Sequence, residues 1–197
     1  MLQTLRSGRG MVTSSHHLAA EAGLRILRDG GNAIEAMVAA AATISVVYPH
    51  MNGLGGDGFW LISEPGHRPP RAINGIGAAG HRVNAELYRR RGLAQIPSRG
   101  PLAANTVAGT VSGWQAALEV SASWGGNLPL ARLLEDAVHY ADAGFPVSDS
   151  QYDNTAAKQA ELEDVPGWAD LFLEGGKPPA VGTLFKQPAL AVTLGRL

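Results

Sequence analysis

Gly53, Gly55 and Gly58, within His50-Met51-Asn52-Gly53-Leu54-Gly55-Gly56-Asp57-Gly58, have the G-x-G-x-x-G spacing that can cradle a pyrophosphate. That chemistry needs a strand before the glycines and a helix after them, so that the helix N-terminus faces the phosphate. Here an alanine-rich helical segment precedes and the apolar Phe59-Trp60-Leu61-Ile62 follows, so the order is reversed and the nucleotide reading fails. A P-loop is excluded too, because no Gly-Lys-Ser/Thr follows. What the glycines permit is positive φ and close approach by another backbone or a ligand. Two readings stand: a tight turn packed on a neighbouring strand, or a turn that also lines a pocket.

His16 and His17 could suggest a metal, but no third ligand stands at a recognisable spacing, so surface or capping roles are expected and no metal or cofactor. The sequence has no cysteine, which removes disulfides, thiolate metal sites and a cysteine nucleophile, and fits a cytoplasmic protein. Its 16 Lys and Arg are balanced by 17 Asp and Glu, so no large field steers a nucleic acid. Arg89-Arg90-Arg91 is a local, solvated run. MLQTLRSGRG has no apolar stretch of the kind a secretory signal or membrane anchor carries, and neither is expected.

The elements that must position the glycine turn are legible on both sides of it. Asn32 can cap a helix over Ala33–Val47, with Glu35 reaching back to the Asn32 N–H as in a capping box, and Pro49 prevents its continuation. Ala36 to Val47 carries no charge and only Thr43 and Ser45 as polar residues, which predicts a helix buried between layers. Its roughly 15 residues span about 22 Å, short of the ~30 Å hydrocarbon core, so no membrane span is expected. Upstream, Met11-Val12-Thr13 reads as a strand. Ser14 or Ser15 can cap a helix over Leu18–Arg28 with Leu18, Ala22, Leu24 and Leu27 as its apolar stripe.

Downstream, Phe59–Ser63 and Arg71–Asn74 read as a hairpin-like pair joined by EPGHRPP. A short helix over Asn84–Arg91 ends at Gly92, and a longer one runs from Thr110 or Ser112 to about Ser121 with Trp114 in the core. Another starts at Asn127-Leu128-Pro129, buries Leu130, Leu133, Leu134, Ala137, Val138 and Ala141, and closes at Gly144. Ser148 can cap a polar helix to about Leu162, and Pro188 suits the start of a last helix. With 197 residues, 45% of them hydrophobic, the chain suffices for one domain or for half of a larger fold.

Gly10-Met11-Val12 with Ser14-Ser15-His16, then LAAEAGLRILRDGGNAIEA and VVYPHMNGLGGDGF, resembles in order and spacing the N-terminal part of the gamma-glutamyltranspeptidase family. LAANTVAGTVSG and AGFPVSDS extend the likeness. The resemblance implies an α/β fold, the four-layer αββα sandwich of N-terminal-nucleophile hydrolases. Residues 1–197 would form part of its large subunit, without an internal domain boundary and incomplete without the small subunit. In that family a precursor cuts itself, and the small subunit's new N-terminal Thr attacks an amide with its own α-amine as base. Thr4, Thr13, Thr43, Thr106, Thr110, Thr155, Thr183 and Thr193 are all internal, so no catalytic residue is assigned to this chain. The partner implied is a Thr-started small subunit from the same precursor, with a higher homo-oligomer of such heterodimers as a further possibility.

In the family's γ-glutamyl transferases an arginine just after the second strand holds the substrate α-carboxylate. The matching place here is Ile73-Asn74-Gly75-Ile76-Gly77-Ala78-Ala79, and the arginine position falls on or near Gly75. Losing such a charge-assisted pair costs about 1.5–3 kcal/mol. The departure points to the amidase-like branch that includes oxamate amidohydrolase and cephalosporin acylases. Asn74, Gly75 and Asn105 are the candidate pocket-lining residues, with the alternative that Asn74 and Asn105 only satisfy turn backbone. Arg71, Arg82 or Arg99 could supply the missing cation, and Arg99 joins the candidate substrate-binding set. The reading is the large-subunit portion of a self-processing hydrolase of a small amide such as oxamate, or of an acyl amide. Its rivals are a γ-glutamyl transferase or hydrolase acting on glutathione-like substrates, and an inert scaffold. The scaffold is disfavoured because it would leave apolar faces such as that of Ala33–Val47 uncovered.

Overall fold

The computed structural model describes residues 4–64, 66 and 69–197. In chain order the elements are α1 (His17–Arg28), α2 (Ala33–Val47), β1 (Gly58–Ile62), β2 (Arg71–Gly75), α3 (Ala85–Arg89) and α4 (Thr110–Ser123). After them come α5 (Leu130–Ala143), β3 (Phe145–Pro146), α6 (Asp149–Leu162), α7 (Trp168–Phe172), β4 (Leu184–Phe185) and α8 (Pro188–Leu194). Of the expected loop EPGHRPP, residues Pro65, His67 and Arg68 lie outside the described residues.

α2 is the central element, packed by α1, α4 and α5, so the face of Ala33–Val47 expected to be left uncovered is buried within this chain. Its start is the expected capping box: Asn32 Oδ1 accepts from the N–H groups of Ile34 (3.0 Å) and Glu35 (3.2 Å), and Glu35 Oε2 accepts from the Asn32 N–H at 2.8 Å. The cap also reaches outward. Glu35 Oε1 accepts from the Leu128 N–H at 2.9 Å, and Asn32 Nδ2 donates to Ser121 Oγ at 2.8 Å. One helix end thereby fixes the α4–α5 connection. At the other end, Gln187 donates its side-chain amide to the Val46 carbonyl at 2.8 Å, docking the start of α8.

α1 differs from the sequence expectation in its cap and in its buried face. His16, not Ser14 or Ser15, is the N-cap, its Nδ1 accepting from the Leu18 N–H at 3.3 Å. The deepest residues are Ala19, Ala22, Gly23 and Ile26, with Leu18 and Leu27 flanking. Small residues win this face because the helices meet closely: a Cβ on Gly23 would sit 2.8 Å from the Ala36 carbonyl oxygen. Arg25 on α1 pairs with Asp136 on α5 at 2.8 Å. The expected strand at Met11–Thr13 does not form; no described segment pairs with it, and a strand needs a neighbour for its N–H and C=O groups.

β1 and β2 form the expected antiparallel hairpin, in register Gly58↔Gly75, Trp60↔Ile73 and Ile62↔Arg71. Trp60, Ile62 and Ile73 pack toward α4, with Ile34, Ala117 and Val120. Phe59 and Leu61 face the other way and are 68% and 76% exposed. The apolar strand after the glycine turn is therefore covered on one side only. β3 and β4 make a second two-stranded sheet, with Phe145 edge-on to Phe185 and Phe172 of α7 stacked on the latter. Ser148 caps α6 as expected, yet this polar helix buries Gln151 and Thr155.

Candidate functional site

The glycine turn acts differently at its two ends. None of Gly53, Gly55, Gly56 or Gly58 has positive φ, so conformational freedom is not their role. At Gly58 the role is close approach: a Cβ there would lie 3.1 Å from the Thr110 Cα. The Gly56 carbonyl accepts from the Gly109 N–H (2.9 Å), the Thr110 N–H (3.0 Å) and the Thr110 hydroxyl (2.8 Å), which pins the turn to the start of α4. A Cβ on Gly53, Gly55 or Gly56 would meet no described atom within 4 Å, so that stretch presents bare backbone.

Gly75 lies at the end of β2 in a seam of backbone against backbone. A side chain there would begin 2.7 Å from the Gly58 carbonyl oxygen and 2.9 Å from that of Gly109. A Cβ on Gly77 would coincide with the Val107 carbonyl. The segments 75–80 and 105–109 run side by side through Val107 N–H to Ala78 O (2.9 Å) and Gly80 N–H to Asn105 O (3.1 Å). Asp57 Oδ1 accepts from the Gly77 N–H at 3.3 Å, tying the glycine turn to the same seam. Asn74 is exposed and turns its Oδ1 back onto the Ile76 N–H at 3.2 Å, the turn-satisfying arrangement.

Arg99 is elsewhere. It lines a cavity of about 560 Å³ with Pro49 to Gly53 on one side and Asn154, Thr155, Lys158 and Leu162 of α6 and Trp168 and Phe172 of α7 on the other. Asn74, Gly75 and Asn105 are not among its walls. Arg99 Nε is 3.3 Å and Lys158 Nζ 2.7 Å from opposite oxygens of Glu161. The Lys158 hydrogen bond, helped by Arg99, holds the Glu161 carboxyl below its ordinary value. Lys158 escaped the sequence reading; its spacing of three residues from Glu161 on a predicted helix was the signal for the pair, but nothing local joined it to Arg99.

A histidine cluster sits beside the turn. His16 stacks on His17 with centroids 4.7 Å apart, and Tyr48 lies 4.2 Å from His50. His50 Nε2 is 3.1 Å from Ser150 Oγ, while its Nδ1 is buried with no partner among the described residues. Burial, then the nearby His17 and His50, push the His16 imidazole below its ordinary value; burial does the same to His50. No group of three or more His, Cys, Asp or Glu able to hold a metal occurs among the described residues.

The family model of gamma-glutamyltranspeptidase matches residues 19–197. The chain is 56% identical over 192 residues to the oxamate amidohydrolase proenzyme of Klebsiella pneumoniae, covering 97% of this chain and 36% of that protein. It is 45% identical over 184 residues to the glutathione hydrolase-like YwrD proenzyme of Bacillus subtilis, covering 93% and 34%. The chain thus spans about a third of the length of these curated relatives. In structure it overlays on the gamma-glutamyltranspeptidase of Helicobacter pylori with TM-score 0.87 and 27% identity, covering 98% of this chain and 55% of that one. The α/β fold expected from the sequence is the fold shared with that structure. The chain belongs to the gamma-glutamyltranspeptidase family.

Proposed function

We propose that this chain is large-subunit material of a self-processing amide hydrolase whose substrate is a small amide such as oxamate, or an acyl amide. The observation that carries this reading is the backbone packing at Gly75. The arginine of the γ-glutamyl transferases would fall on or near Gly75, and a side chain at Gly75 itself would run into the carbonyls of Gly58 and Gly109. Similarity to an oxamate amidohydrolase proenzyme supports the same choice.

The chemistry follows from the nucleophile. A threonine at the start of a small subunit attacks the amide carbonyl through its hydroxyl, its α-amine taking the proton and passing it to the departing amine; water then hydrolyses the ester. In this reading Asn74, Gly75 and Asn105 belong to one pocket wall, and Arg99, which lines a separate cavity, offers a carboxylate anchor there. The bare backbone of Gly53, Gly55 and Gly56 supports an approaching ligand or subunit, since no described part of this chain fills the space. Heterodimers and their association into a larger oligomer are part of the proposal. So is cytoplasmic residence, with which the cysteine-free sequence agrees.

The test uses the full precursor carrying this sequence. N-terminal sequencing and intact mass should find a second polypeptide that begins with threonine, and ammonia release should be faster from oxamate or acyl amides than glutamate release from a γ-glutamyl anilide. Preference for the anilide would move the protein to the γ-glutamyl transferases, and a folded, uncleaved chain inert toward all three would make it a scaffold.

A further inference from the structure

The cavity beside Arg99 has features of a ligand site that the glycine seam lacks. Its size, about 560 Å³, is in the range that encloses small organic molecules. Its described walls carry two cations, Arg99 and Lys158, and no acidic residue. Glu161 bridges the two cations, so the formal charges of these three groups sum to +1. The same cavity is lined by the apolar Trp168 and Phe172, 5.4 Å apart between ring centroids, together with Leu162 and Met51. A buried polar group adds a further demand. His50, one of the lining residues, has a buried Nδ1 with no hydrogen-bond partner among the described residues. Such groups are normally satisfied, by protein, water or ligand.

We propose that this cavity binds a small organic carboxylate, with Arg99 and Lys158 taking the carboxylate and Trp168 and Phe172 taking its carbon arm. The inference concerns binding and goes beyond the hydrolase reading: the carboxylate is either the anionic end of the amide substrate or a separate ligand with the same chemistry. Glu161 orders the two cations and competes for them. A carboxylate that enters gains charge-assisted hydrogen bonds with geometry already set, which is where such bonds are strongest.

The test is calorimetric titration of the full processed protein with phenylacetate, with malonate as a carboxylate lacking the apolar arm and 2-phenylethanol as an uncharged control with no amide to cleave. Phenylacetate is expected to bind at least about ten-fold more tightly than 2-phenylethanol, and R99Q and K158Q each to weaken it about ten-fold. E161Q is expected to tighten it, and W168A to weaken phenylacetate while sparing malonate. Arg99 and Lys158 are 54% and 44% exposed, so neutralising them leaves the fold intact, as an unchanged melting temperature would verify. Equal binding of the acid and the neutral alcohol, or affinities untouched by both R99Q and K158Q, would overturn the proposal. The source of the carboxylate is read separately: KM for oxamate rising with kcat held in R99Q marks the substrate's own anchor, and unchanged kinetics with weakened phenylacetate binding marks a distinct site. Binding is measured without turnover, so failure here and failure of the hydrolase reading are told apart.

Discussion

Gly75 and Gly109 meet backbone to backbone, each occupying the space where the other's side chain would begin. Overpacking against a carbonyl cannot be relieved by a rotamer change, so Gly75→Ala should destabilise by about 1–3 kcal/mol and Gly75→Arg by more. Urea denaturation of the full protein checks this. Gly75→Arg should also fail to bring release of glutamate from a γ-glutamyl anilide, because the hairpin end must move to admit the side chain.

Gly23 offers a contest between two effects. Alanine is favoured over glycine within a helix by about 1 kcal/mol, yet its methyl would press on the Ala36 carbonyl at 2.8 Å and on Val12 at 2.9 Å. Overpacking of about 1–3 kcal/mol outweighs the propensity gain, so Gly23→Ala should lower the melting temperature.

Glu35 is 2% exposed and accepts from two backbone N–H groups, Asn32 and Leu128. Glu35→Ala leaves both without their acceptor and should cost roughly 2–4 kcal/mol, seen as a lower urea midpoint. Glu35→Gln keeps one acceptor oxygen and should lose less.

His16 caps α1 through a lone pair on Nδ1, which protonation removes. Its value is depressed from the ordinary 6.5 by burial and by His17 and His50, with Tyr48 as the other facing group. The unfolded chain then binds the proton more readily than the folded one, so stability is full above about pH 6.5 and falls as the pH drops from there through the folded value. His16→Asn keeps a cap acceptor that does not titrate. Melting temperatures between pH 8 and pH 5 should fall less steeply in this variant than in the parent.

What the sequence determined was local. The Asn32–Glu35 capping box, the helices started by Asn84, Ser148 and Pro188, the Gly144 stop and the β1–β2 hairpin depend on groups a few residues apart or on alternating pattern, and the structure has them as expected. The family likeness was also legible, because the glycine-rich motif and its flanks are specific. The tertiary structure decided what depends on distant partners. Whether Met11–Thr13 becomes a strand turns on a neighbour, and which face of α1 goes deepest turns on how closely α2 approaches. The company kept by Arg99 was equally beyond reach: it meets Glu161, 62 residues away, only because α6 folds back past the glycine turn. Periodicity reports that a face is apolar; the packing of other elements decides what covers it and which charges share a cavity.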